Sequence, residues 1–251
     1  MWAVAAPYTT KNFCEGNIGI KAVFFDLDDT LYSSFQAGDA YAYERMAAWV
    51  EEHTGASGAE FARQFKWYRK KLARQQPGMP PTHDRVLFAQ GALERMGLNA
   101  VQYARALHRV YWDAVLSKME LRPGVPALLE ELRRAGVKTT VCTDMLADIQ
   151  MEKLEYLGLA DRIDYLVSSE EAGMDKPGSP IFWLALQKCG CLAGEAVMVG
   201  DNFRHDVQGA TDVGIAGVWL NWTHLPRPDD DRPYTEVHTF EQAAAHIRTL
   251  L

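Results

Sequence analysis

Residues 21–30 read KAVFFDLDDT, four apolar residues in a row closed abruptly by acids. An apolar run without alternation is the pattern of a strand buried on both faces, and such strands belong to parallel sheets covered by helices. Comparable runs follow at Lys138–Thr143 (KTTVCT), 163–168 (IDYLVS), Ala196–Gly200 (AVMVG) and 217–221 (GVWLN). Between the later runs lie helix-period stretches at 125–135, 147–157, 180–188 and 206–213. Alternating strands and helices predict an α/β fold with a Rossmann-like parallel sheet and right-handed crossovers.

The gap between the first two runs breaks this rhythm. About eighty residues of helical pattern fill it, far more than a crossover connection needs, so an inserted helical module is predicted over residues 34–120. Its candidate helices are 37–53, 58–75, 84–96 and 100–116, with a breaker at 77–81 (PGMPP), and Pro123-Gly124 marks the return to the sheet. The core is then discontinuous, 20–33 plus 121–251. Residues 226–234 hold three Pro and three consecutive Asp and read as a surface loop before a last helix at 240–250.

Composition narrows the function classes. With 48% apolar and 24% charged residues the chain is of the globular kind, and its formal net charge of -7 disfavours a nucleic-acid polymer as partner. The charge is uneven, since residues 34–120 carry 12 Lys and Arg against 9 Asp and Glu. Four Cys show neither a CxxC pair nor a metal-ligand spacing, and Cys189-Gly190-Cys191 reads as a helix end. Residues 1–19 read as an N-terminal extension without the features of a signal peptide. No apolar run is long enough to span a bilayer, so a cytoplasmic protein without membrane contact is expected.

In an open parallel sheet, ligands bind beyond the carboxyl ends of the strands. The first strand ends in Asp26-Leu27-Asp28-Asp29-Thr30, the second in Thr143-Asp144, and the fourth in Gly200-Asp201 followed by Asp206; the third leads into a loop holding Lys176-Pro177. Converging carboxylates of Asp26, Asp28, Asp201 and Asp206 would repel one another unless neutralised. A divalent cation is therefore implied, and hard oxygen ligands without a His or Cys cluster suit Mg²⁺. Asp206, taken alone, also reads as a helix cap.

The order DxDxT, Thr143, Lys176, then Asp201 through Asp206 resembles the haloacid dehalogenase superfamily across most of the chain, with its helical cap at 34–120. FFDLDDTLY, GDNFRHDVQGA and VWLN look most like its branch of pyrimidine 5′-nucleotidases and N-acylneuraminate-9-phosphate phosphatases. The resemblance implies a phosphoric monoester hydrolase for a small phosphorylated metabolite, a nucleoside monophosphate or sugar phosphate. Asp26 would be the nucleophile, forming an aspartyl-phosphate, and Asp28 the acid and base, starting protonated. Thr143 and Lys176 would hold phosphate oxygens, while Asp26, the Asp28 main-chain carbonyl, Asp201 and Asp206 would surround Mg²⁺. Dehalogenases lack an acid at the Asp28 position, because halide leaves without a proton.

Alternatives at this point are a phosphomutase with the same residues and a non-catalytic binding module. Asp144 replaces the family's usual Asn and puts a negative charge where phosphate is expected to bind. Arg63, Lys66, Lys70 and Arg74 share one helix face, which reads either as an anion-facing stripe or as a solvated surface. Tyr32 and Trp67 are candidates for stacking on a base.

Overall fold

The computed structural model describes residues 19–251, so nearly all of the expected N-terminal extension lies outside the described residues. Six parallel strands form the sheet: β1 (Ala22–Phe25), β4 (Lys138–Thr143), β5 (Tyr165–Ser168), β6 (Ala196–Gly200), β7 (Ala216–Leu220) and β8 (Tyr234–Val237), in spatial order β5-β4-β1-β6-β7-β8. The strand order reverses at β1, which pairs with β4 and β6 in matched register, Phe25 facing Val141 and Val199. The acids after β1 therefore emerge at the switch point of the sheet, where ligands bind in such folds.

All four β1 residues are fully buried. Val23 and Phe25 pack in one core with α5 (Val125–Arg134) and α10 (Phe240–Arg248), whereas Ala22 and Phe24 pack in a second with α8 (Ser179–Cys189). This two-sided burial is why the run lacks alternation. Truncating either Phe to Ala is worth roughly 3–5 kcal/mol.

A two-stranded antiparallel ribbon, β2 (Tyr32–Ser33) against β3 (Glu120–Leu121), carries the chain out of the sheet layer and back. Between its strands stand α1 (Phe35–Thr54), α2 (Gly58–Gln75), α3 (Arg85–Arg95) and α4 (Ala100–Leu116). Phe65 of α2 is the hub of this module, its ring meeting those of Tyr43, Phe61, Phe88 and Tyr111.

The surface loop expected at 226–234 is there through Pro233, but a strand that was not expected follows it: β8 opens at Tyr234 and extends the sheet beyond β7 by parallel pairing from Tyr234 to Val237. The strand is short, follows Pro233 and is only partly buried, so it lacks the apolar run that betrays the central strands. Cys189 and Gly190 end α8 as expected, with Gly190 at φ 62°, and Cys142, Cys189 and Cys191 are free thiols.

Candidate active site

Asp26 follows β1, and its N–H donates to Val199 O across the strand gap at 2.9 Å. Both its carboxylate oxygens are engaged. Lys176 Nζ donates to Oδ1 at 2.7 Å, and Thr30 Oγ1 donates to Oδ2 at 3.0 Å. The same ammonium donates to Asp206 Oδ1 (2.7 Å) and to Cys142 O (2.9 Å), so one buried lysine ties together β1, β4 and the turn after β6. Thr30 Oγ1 also accepts from Asp201 N at 3.1 Å, which fixes the β6 loop to the first motif.

Asp26, Asp201 and Asp206 each offer an oxygen within 4.8 Å of the others. Asp206 sits in a π-helical turn, Phe203–Gln208, capped by Asn202 rather than by Asp206 itself; Asp206 Oδ2 accepts from Asn202 N at 3.0 Å. Gly200 makes room for this arrangement, because a Cβ there would lie 2.2 Å from the Asp206 carboxyl. The helix-cap reading of Asp206 therefore gives way to a site reading.

Crowding acids in a buried place raises their proton affinity. Burial pushes Asp26 well above the ordinary carboxylate range, against the pull of Lys176, and Asp206, Asp201 and Asp28 add to the rise. Asp201 is pushed up to about 7 by burial and by Asp206. Asp206 is raised too, by burial, although Lys176 opposes it. Such a trio takes up positive charge readily, as protons or as a hard cation.

Asp28 departs from expectation. Burial works to raise it, but the Lys153 ammonium beside it, with Tyr32 and Gln150, outweighs burial and holds its carboxyl below the ordinary value. Lys153 Nζ donates to Oδ1 at 2.5 Å, Tyr32 OH donates to the same oxygen, and Gln150 Nε2 donates to Oδ2 at 3.0 Å. Asp28 thus favours its ionised form in the free protein, so the proton that the acid step requires is one it has still to acquire.

Thr143 ends β4 fully buried, and its hydroxyl accepts from Gln150 Nε2. Asp144 lines the same cavity but is not a bare charge. Its Oδ1 accepts from Lys176 N at 2.7 Å, and its Oδ2 lies 2.9 Å from His205 Nδ1. Burial raises Asp144, but Lys176 and His205 pull it below the ordinary range.

A cavity of about 220 Å³ lies over these groups, lined on the other side by Phe35, Arg69, His83 and Arg85 from the helical module. The two parts also touch directly, His83 Nε2 lying 3.0 Å from Asp175 Oδ2 and Arg109 Nη1 2.5 Å from Glu152 Oε1. All seven residues singled out from the sequence (Asp26, Asp28, Thr143, Asp144, Lys176, Asp201 and Asp206) line this one cavity. The stacking candidates do not: Tyr32 is fully buried against Asp28, and Trp67 lies under the Arg95 guanidinium at 3.8 Å. Arg63, Lys66, Lys70 and Arg74 are exposed on α2, and none lines the cavity.

Gln150 and Lys153, in α6 (Ala147–Tyr156), went unnoticed in the sequence. The signal was there, since both fall on the helix face of Ile149 and Leu154, where a polar side chain is costly unless partnered.

A family model described as haloacid dehalogenase-like hydrolase matches residues 20–214. A ribulose-1,5-bisphosphate 5-phosphatase of Halopiger xanaduensis is 40% identical over 91% of this chain and 95% of its own. A glyceraldehyde 3-phosphate phosphatase of Methanopyrus kandleri is 32% identical over 92% of this chain and 98% of its own. Among solved structures, a 2-haloacid dehalogenase from Pseudomonas syringae superposes with a TM-score of 0.77 at 26% identity, covering 92% and 98% of the two chains. The chain belongs to the haloacid dehalogenase-like hydrolase family, as one of its phosphatases.

Proposed function

We propose that this phosphatase hydrolyses small phosphorylated metabolites, sugar phosphates first among them, through a phosphorylated Asp26 at a magnesium site. The observation that carries the reading is the meeting of Asp26, Asp201 and Asp206 oxygens within 4.8 Å beside the Lys176 ammonium. Three carboxylates and no nitrogen or sulfur donor make a set of hard oxygens, which fits Mg²⁺. Asp26, Asp201 and Asp206 would hold the ion together with the Asp28 main-chain carbonyl. When bound, it neutralises the carboxylates and polarises the phosphoryl oxygens.

Asp26 then attacks phosphorus, splitting one displacement into two. Lys176 and Thr143 hold the transferring oxygens, and Thr30 keeps the Asp26 carboxylate turned toward the cavity. Asp28 hands a proton to the leaving oxygen and afterwards takes one from the attacking water. Because Lys153 keeps Asp28 ionised in the free protein, its protonation awaits a phosphate whose charge works against Lys153. The helical module serves as the cap, shutting water out and presenting Arg69, His83 and Arg85 to the substrate. The two sugar-phosphate phosphatases similar over nine-tenths of the chain support a sugar-phosphate substrate.

Asp26→Asn is expected to abolish turnover of p-nitrophenyl phosphate while leaving the circular dichroism spectrum unchanged. A chelator should abolish wild-type turnover, with magnesium restoring it. Activity that persists in the variant, or in excess chelator, overturns the mechanism.

A further inference from the structure

The roof of the cavity carries a cation that, among the described residues, no carboxylate touches directly. Arg85, at the start of α3, is 2% exposed. Its Nη1 donates to His83 O at 2.7 Å and approaches Met145 Sδ at 3.6 Å, while Nη2 donates to Tyr111 OH at 3.2 Å. All three partners are uncharged. The guanidinium lies against the rings of Trp112 (4.8 Å) and Tyr111 (5.0 Å), which hold it in place without cancelling its charge. Among the described residues no carboxylate is within ion-pair distance of it. A buried charge without a counter-ion is costly to keep.

Arg69 of α2 lines the same roof and is half-buried. Asp39 lies 3.5 Å from it, and the Tyr111 hydroxyl that receives the Arg85 bond donates its own hydrogen bond to that same carboxylate. One acid thus serves two guanidinium groups, and the roof keeps a surplus positive charge opposite the reacting acids. Arg forks fit the oxygens of phosphate and carboxylate, so the surplus suits an anion where a substrate's far end would lie.

We infer that Arg69 and Arg85 form a second oxyanion subsite, so that the substrate is a phosphate ester carrying a further phosphate or carboxylate at its other end. The inference rests on the phosphatase reading above and narrows it. A sugar bisphosphate or an acid phosphate fills both ends of the cavity, whereas a monophosphate of an uncharged sugar leaves Arg85 buried and unpaired. The discrimination is expected to lie mainly in KM, because the far anion does not change during the reaction.

The test compares ribulose 1,5-bisphosphate with ribulose 5-phosphate, fructose 1,6-bisphosphate with fructose 6-phosphate, and 3-phosphoglycerate with glycerol 3-phosphate, all with magnesium. p-Nitrophenyl phosphate reports the basic chemistry. In the wild type, kcat/KM for the doubly anionic member of at least one pair should exceed its partner's by about tenfold or more, as for a charge-assisted hydrogen bond. Preference within the first two pairs assigns the subsite to phosphate, and within the third to carboxylate. Arg69→Met and Arg85→Lys should each shrink the favoured ratio severalfold; any loss of folded enzyme cancels within the ratio. No preference in any pair while p-nitrophenyl phosphate is turned over overturns the subsite alone, as does a ratio unchanged in both variants. No turnover of any phosphate overturns the underlying reading instead.

Discussion

Lys153→Met tests how the Asp28 carboxylate is kept charged. In the wild type the Lys153 side chain has no exposure, Asp28 keeps 19% of its side-chain surface, and the two charges meet at 2.5 Å. Burial presses the Lys153 pKa down while Asp28 opposes it, so the pair as a whole contributes little net stability. Removing one partner is different, because the other is left buried with its charge uncompensated, at about 3–5 kcal/mol. Met has nearly the same length and fills the space, so the cost is electrical rather than a cavity.

The cost must also depend on pH. In the wild type the Asp28 pKa is depressed on folding, so its contribution is present above the ordinary carboxylate value and lost as pH falls through the depressed one. Without Lys153, burial dominates and the Asp28 pKa rises above its unfolded value, which makes the variant lose stability as pH increases. Urea unfolding in a chelator is therefore expected to give a larger deficit at pH 8 than at pH 5.5. The double variant Asp28→Asn, Lys153→Met should recover much of it. A deficit under about 1 kcal/mol at pH 8, or one equal at both pH values, refutes the pairing argument.

Magnesium should raise the melting temperature more at pH 8 than at pH 6, for Asp201, pushed up to about 7, must lose its proton to become a ligand. With the folded pKa raised, metal-free stability falls as pH climbs toward 7, and bound metal removes that loss; a shift independent of pH counts against Asp201 as a ligand. Gly200→Ala should cut kcat at least tenfold and cost about 1–3 kcal/mol in urea unfolding, because the added Cβ collides with the Asp206 carboxyl at 2.2 Å. Wild-type kcat in that variant shows that Asp206 need not stand where it does.

The acids, the threonine and the lysine were legible in the sequence because each ends a strand or enters the loop after one, and parallel topology sends all such ends to one edge. Asp26, Thr143 and Asp201 need only the strand assignments to be brought together. Lys153 and Gln150 were hidden by their place in mid-helix, where position along the chain says nothing about which face meets Asp28. The arginines mislead for a related reason. Arg63, Lys66, Lys70 and Arg74 form the tidy stripe, but α2 turns its apolar face, Phe61, Phe65 and Leu72, inward, and the stripe goes to solvent. Arg69 lies off that stripe and reaches the cavity only because α1 and α3 set the roll of the helix. β8 escaped notice since an edge strand after proline carries little apolar signal.

The distribution of charge around the cavity also orders events within it. The floor holds the carboxyl groups of Asp26, Asp28, Asp144, Asp201 and Asp206 against two ammonium groups, Lys153 and Lys176. A phosphate cannot approach such a floor until a cation has offset it, since like charges within a few ångströms repel by several kcal/mol at effective dielectric constants of about 20. The roof has the opposite bias, two guanidinium groups sharing Asp39. On the proposed mechanism, loading metal into the floor and anion into the roof are therefore complementary, each offsetting the local excess of charge that it meets. Within the floor, Asp28 is held by Lys153, which contacts neither Asp26 nor Asp206. On the proposed mechanism the proton affinity of Asp28 would respond to the phosphate that arrives, while that of Asp26 would be set by the ion held beside it.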